Sequence, residues 1–198
     1  MCLRVMVWMT KPVFYDTDCL SSFLQINRID LLKREYSKII ISVQVKDELF
    51  NKNTPEKIKN RLTSLIHEGY VEIKDLEYGS DEFNQYFTFI TDSKTENTGK
   101  GELSVISLAI SNNGILASTN LDDVCYFVKK YNLEHVTTSK IIVTCYVKGY
   151  LTFDEADKIW GKLLKNPKHP QMSFKDFYNK DDKMCYSHST KYRKQIKR

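Results

Sequence analysis

The sequence contains no Cys-x-x-Cys pair. Its five cysteines, Cys2, Cys19, Cys125, Cys145 and Cys185, are scattered and odd in number. That argues against a disulfide framework and for a reducing compartment with buried free thiols. Cys185-Tyr186-Ser187-His188 is half a zinc site at best, because no second pair accompanies it. No apolar run approaches the roughly 20 residues of a membrane-spanning helix. The opening segment, Met1 to Met9, is apolar but short, and it lacks the small-residue cleavage site of a secretory signal. With Pro12 close behind it, residues 1–12 read as an N-terminal appendage. Internal repeats and hairpin signatures are missing as well. The expectation is a cytoplasmic chain that makes no use of a membrane.

An excess of charge is also missing from most of the chain. The formal net charge is +5, from 30 basic and 25 acidic residues. The surplus is concentrated after Asp182, where Lys183, Lys191, Arg193, Lys194, Lys197 and Arg198 stand without an acid. The rest is close to neutral, so any grip on a polyanion belongs to the tail. Hydrophobic content of 41% over 198 residues is enough for a sizeable core in one domain.

What is present is alternation of short buried strands with helices. Val13-Phe14-Tyr15 runs into Asp16, and Leu20, Phe23 and Leu24 then recur at helical spacing. Lys38 to Val43 is a β-branched run of the kind found in parallel strands covered on both faces. Thr54-Pro55 signals a helix start with Thr54 as the cap. Val71 to Leu76 alternates as a half-exposed strand, and Ile115 to Ser118 is a further buried one. Glu134 to Thr138 is a brief edge strand, and Thr152-Phe153-Asp154-Glu155 is a capping box for a last helix reaching about Leu164. The expected architecture is α/β: a three-layer α/β/α sandwich around a central, mostly parallel sheet, with the first and fourth strands adjacent. The expected divisions are 1–12, a domain over 13–165, and a basic, aromatic tail over 166–198.

Polar side chains fall at equivalent points of this pattern. Asp16 ends the first strand, where open α/β sheets place their ligands. Glu48 lies in the first turns of the helix after the second strand, and Glu102 begins the helix after Gly99-Lys100-Gly101. Asn120 and Asp123 follow the Ile115–Ser118 strand. Each has a plainer reading: Asp16 as an N-cap, Glu48 as part of a solvated face, Glu102 and Asp123 as complements to a helix dipole. Their joint arrangement outweighs those readings.

Four motifs carry a resemblance to the PIN-domain nucleases, which include the toxin ribonucleases of bacterial toxin–antitoxin pairs. They are Tyr15-Asp16-Thr17-Asp18-Cys19-Leu20-Ser21, Val45-Lys46-Asp47-Glu48-Leu49, Gly99-Lys100-Gly101-Glu102-Leu103-Ser104-Val105-Ile106-Ser107-Leu108-Ala109, and Ile115-Leu116-Ala117-Ser118-Thr119-Asn120-Leu121-Asp122-Asp123-Val124. They agree in order and context from about Val13 to Leu164. The resemblance implies that Asp16, Glu48 and Glu102 take the three principal acidic positions, and that Asn120 takes a fourth that is commonly Asp. Asp123 is a companion acid one turn on. Asp16, Glu102 and Asp123 are the expected ligands of Mg²⁺ or Mn²⁺. Thr17, as a support for Asp16, and Ser118 are expected to orient carboxylates, and Asp18 is expected to cap a helix.

Phosphodiester hydrolysis needs a nucleophilic water and relief of the charge growing on oxygen, which divalent ions on carboxylates supply. Without a cation, clustered carboxylates repel one another and raise each other's pKa. Gly99 and Gly101 are expected to permit close backbone approach where Glu102 turns inward. The expected substrate is single-stranded RNA, with a small antitoxin protein as partner and a homodimer left open. Lys191, Arg193, Lys194, Lys197 and Arg198, interleaved with Phe174, Phe177, Tyr178, Tyr186 and Tyr192, would grip RNA by charge and stacking. A solubilising or antitoxin-contacting tail is the equal alternative. The departure at Asn120 also admits a PIN-like module that binds nucleic acid or protein without cutting. A flavodoxin-like or response-regulator-like domain would need a phosphorylatable aspartate with a nearby lysine and a Thr/Ser on successive strands, a set that cannot be assembled from this sequence.

Overall fold

The computed structural model describes residues 11–180, apart from the side chains of Asp122 and Asp123. The described chain divides into two compact units, one running through Thr138 and one starting at Ser139.

In the first unit five short strands form one sheet: β1 (Val13–Tyr15), β2 (Ile39–Ser42), β3 (Val71–Lys74), β4 (Ile115–Ala117) and β5 (Glu134–Val136). Their order is β3-β2-β1-β4-β5. All neighbours are parallel, so the sheet is wholly rather than mostly parallel. Central β1 is apolar on both faces, with all three residues buried, because parallel strands are covered above and below. Its register pairs Phe14 with Ile40 on one side and with Leu116 on the other. At the edge, β5 carries the polar Glu134 and His135.

The helices of this unit are α1 (Thr17–Ile26), α2 (Ile29–Glu35), α3 (Val43–Leu49), α4 (Glu56–His67), α5 (Asp81–Thr91), α6 (Lys100–Ser111) and α7 (Leu121–Tyr131). The chain steps outward from β1 to β2 to β3, then returns across β1 to β4 and on to β5. With right-handed crossovers, that reversal sends the helices before and after β2 to one face and those flanking β4 to the other. The reversal itself falls between β1 and β4, which is the point of an open α/β sheet where ligand crevices form. Helix α3 starts immediately after β2 and packs against both α1 and α6. Ser42 fixes that junction. Its hydroxyl accepts from Val45 N–H at 3.0 Å and meets the Ser104 hydroxyl of α6 at 2.6 Å. Thr54 does not cap α4; Pro55 occupies that position without a side-chain bond.

The second unit contains α8 (Thr138–Val147), whose first residue lies in the first unit, α9 (Phe153–Leu163) and helical residues 174–180. Helix α9 begins with the expected capping box between Thr152 and Glu155. Phe174 is fully buried and lies against Trp160, Phe153 and Tyr146, with Phe177 against Trp160 and Tyr178 against Tyr146. Trp160 Nε1–H donates to the Met172 carbonyl at 2.7 Å, which satisfies the one polar atom of the indole. Phe174 is therefore a packing residue rather than a stacking surface for RNA. Among the described residues no helix is long and apolar enough to cross a membrane.

Candidate active site

Asp16 leaves β1 with extended backbone (φ −75°, ψ 169°), and its carboxylate accepts from Cys19 N–H at 2.6 Å. It is the N-cap of α1, and it is 3% exposed. The plain capping reading is thus correct as far as it goes, and the cap is what aims the carboxylate. Asp16 N–H donates to the Ala117 carbonyl at 3.0 Å, which binds the end of β1 to the end of β4. Asp18 lies inside the first turn instead of capping it. Beneath Asp16, burial first and the Asp16 carboxylate second push the Cys19 thiol far above its ordinary value, so this cysteine is an inert packing residue.

Glu48 sits in the last turn of α3 rather than in its first turns, because the helix opens at Val43 directly after β2 and ends at Leu49. Thr17 Oγ1 donates to Glu48 Oε2, and Gly101 N–H donates to Glu48 Oε1 at 3.0 Å. Thr17 therefore supports Glu48, not Asp16. The same carboxylate satisfies one of the free N–H groups at the start of α6, where Gly99 offers no side-chain cap. A Cβ at Gly101 would fall 2.5 Å from Glu48 Oε1 and 2.6 Å from Oε2. Gly101 is glycine because Glu48 occupies the space of its side chain. The close approach expected at the two glycines is thus made by Glu48 and only at Gly101; a Cβ at Gly99 would meet nothing within 4 Å.

Glu102 is half-buried in the first turn of α6. Its Oε1 accepts from the Ser118 hydroxyl at 3.3 Å, and the same hydroxyl accepts from Asn120 N–H at 3.3 Å. Ser118 is fully buried, and His135 Nε2 lies 2.9 Å from its carbonyl oxygen. Burial holds the His135 imidazole below its usual pKa, so it is neutral at neutral pH and pins β4 to β5. Asp16, Glu48 and Glu102 thus come from three elements whose ends share the edge of the sheet at its switch point.

A sequence profile described as PIN domain matches residues 12–166. The chain belongs to the PIN-domain family. Two solved structures are similar to this PIN domain. VapBC-1 from nontypeable Haemophilus influenzae shares 18% identity at a TM-score of 0.45, covering 65% of this chain and 98% of that one. VapBC2 from Rickettsia felis, bound to a DNA fragment from their promoter, shares 22% identity at a TM-score of 0.44, covering 63% and 97%. No curated protein matches the sequence.

The remaining expected residues of this PIN domain fall unevenly. Asn120 is half-buried at the start of α7, and its side chain does not cap that helix. Asp123 lies in α7, but its side chain is outside the described residues, as are Lys191, Arg193, Lys194, Lys197 and Arg198 altogether. Among the described residues no three acid, histidine or cysteine side chains are grouped closely enough to cage a metal ion. Free Cys125 is exposed, whereas Cys19 and Cys145 are buried as expected. Sequence reasoning missed Tyr86, a half-buried residue of α5. Its phenol is held above the ordinary value by burial first and by the Glu48 carboxylate second. Tyr86 therefore stands close enough to Glu48 to feel its charge, a long-range pairing with no local signature.

Proposed function

We propose that the protein is a divalent-metal-dependent endoribonuclease that hydrolyses phosphodiester bonds of single-stranded RNA, the toxin of a toxin–antitoxin pair restrained by a small antitoxin protein. One observation carries the reading. In a chain of a family whose members are generally nucleases, Asp16, Glu48 and Glu102 are delivered to one sheet edge, each held by hydrogen bonds from a different neighbour.

The donor set suits Mg²⁺ or Mn²⁺. It consists of oxygens only, with no thiolate or imidazole among the expected ligands, which favours hard cations over zinc. Mg²⁺ keeps several waters and is commonly held by one or two carboxylates together with substrate phosphates. A complete cage of protein groups is therefore unnecessary. Asp16 and Glu102, with Asp123, would hold the ion. Bound there, it would make a water nucleophilic at neutral pH and offset negative charge on the phosphoryl oxygens.

The chain's own groups do the rest. The α1 cap keeps Asp16 fixed as charge changes beside it. Ser118 holds Glu102 and the backbone of Asn120 together, so both move with the end of β4. The Asn120 amide offers an oxygen without a charge. Glu48, open to solvent and braced by Thr17 and Gly101, is the acid best placed to hydrogen-bond an incoming water and take its proton while the leaving ribose oxygen is protonated from solvent.

A second reading, a PIN module that binds without cutting, is favoured by Asn120 and by the lack of a three-acid cage among the described residues. One assay separates the two. The full chain, incubated with mixed single-stranded RNAs and Mn²⁺, is expected to yield discrete products that vanish in EDTA. Products that persist in EDTA, or none with any RNA, would rule out the nuclease reading.

A further inference from the structure

A groove of about 350 Å³ opens next to Glu48 in the first unit. Thr17 and Glu48 form the end it shares with the acids, and Leu49 and Ile58 give it an apolar floor. Among the described residues Glu48 is the one charged side chain in the lining; the other polar groups are amides and hydroxyls, among them Gln25, Asn51 and Asn53. The Asn51 side-chain oxygen accepts from Asn53 N–H at 3.0 Å, which shapes the loop before α4. Gln25 and Asn53 are both exposed, so their side-chain amides are open to a ligand. Gln25 reaches the groove from α1 and Asn53 from the loop, so two amides face it from different segments.

This chemistry is selective about its guest. With no lysine or arginine among its described lining residues, the groove is a poor phosphate site. An amide presents a donor and an acceptor side by side, the pattern that pairs with the edge of a nucleobase. Apolar floor atoms suit the face of a planar ring. The volume lies at the low end of the roughly 300–1,000 Å³ of small-ligand sites, which suits one nucleotide rather than a protein segment.

We propose that this groove receives the nucleobase neighbouring the scissile phosphate, and that Gln25 and Asn53 read its edge, making them determinants of cleavage specificity. The proposal rests on the ribonuclease reading, since the adjoining acids define what lies next to the base.

The test is a binding measurement, so it does not depend on cleavage. Full-length Asp16→Asn protein is titrated with fluorescein-labelled hexamers of rA, rC and rU, and anisotropy is read. Asn replaces Asp16 because it keeps the α1 cap. The expected result is a spread of about fivefold or more between best and worst hexamer, the discrimination of one good edge contact. Adding Gln25→Ala and Asn53→Ala should shrink that spread to within about twofold, leaving the weakest hexamer's affinity unchanged. Equal affinities, or a spread that survives the added substitutions, overturn the proposal. The latter is also what a groove reserved for a protein partner would give. A uniform loss of affinity for all three hexamers overturns it too, since the amides would then serve the RNA backbone. Cleavage by the wild-type chain is scored separately. A chain that never cuts but keeps the amide-dependent spread retires the ribonuclease reading while base binding stands; one that cuts without any spread does the reverse.

Discussion

Gly101→Ala isolates the position of Glu48 from its charge. The new Cβ would lie 2.5 Å from Glu48 Oε1, whereas an ordinary carbon–oxygen contact needs about 3.3 Å. The carboxylate must therefore retreat by about 0.8 Å or swing away, giving up the Gly101 N–H bond at 3.0 Å. Because Glu48 is exposed and its side chain flexible, the movement costs little stability; exposed charged contacts are worth about 0.2–1 kcal/mol. Alanine in place of glycine returns about 0.5–1 kcal/mol to α6. The two effects nearly cancel, so the stability change should stay within about 1 kcal/mol, or about 2–4 °C in Tm. Catalysis is far less tolerant, since displacing a reacting group by about 1 Å can cost on the order of a hundredfold. The assay pairs thermal unfolding with Mn²⁺-dependent RNA cleavage, and Gly161→Ala is the control. Gly161 lies in α9, where an added Cβ would meet nothing within 4 Å, so that change should stabilise by about 0.5–1 kcal/mol and leave cleavage alone. A folded Gly101→Ala protein that cuts RNA at the wild-type rate would refute the reasoning, because Glu48 cannot stay in place beside a Cβ.

Ser118→Ala should lower cleavage by about 10–100-fold, as losing the group that orients a carboxylate does, with a stability cost of about 1 kcal/mol in urea unfolding. Phe174→Ala should destabilise by about 3–5 kcal/mol, because a fully buried ring leaves a cavity among Trp160, Phe153 and Tyr146; an unchanged urea midpoint would return this residue to the surface. The Glu82 carboxyl is held down at about 2, first by its hydrogen bond from the Lys74 ammonium at 2.9 Å. A carboxyl depressed in the folded state adds stability that is present above the ordinary carboxylate value and disappears as pH falls towards the folded one. Urea unfolding at about pH 5 and about pH 3 should therefore show a smaller loss for Lys74→Met than for wild type.

The parallel α/β class was legible because parallel strands buried on both faces are written as short apolar runs, whereas the full order β3-β2-β1-β4-β5 was not, since no local pattern sets it. Asp16 follows such a run and Glu102 opens a helix, positions a sequence pattern can mark, whereas Glu48, in the last turn of α3, carries neither signal. What escaped was pairing over long sequence distance. Nothing near Glu48 announces that Gly101, 53 positions later, donates to it, or that Thr17 braces it in preference to its own neighbour Asp16. Phe174, Phe177 and Tyr178 do stand at helical spacing, but Pro167, Pro170 and the surrounding lysines made that stretch read as a tail. The burial of Phe174 depends on rings from α8 and α9 that no local window contains.

The most direct test of a metal-dependent nuclease centred on Asp16 is the rate of single-stranded RNA cleavage by Asp16→Asn beside wild type in Mn²⁺. Asn preserves the cap, so the fold is kept while the charge is removed. A direct ligand should matter more than the groups that orient it, so the expected loss exceeds about a hundredfold with thermal stability little changed. Cleavage by Asp16→Asn at the wild-type rate would contradict it.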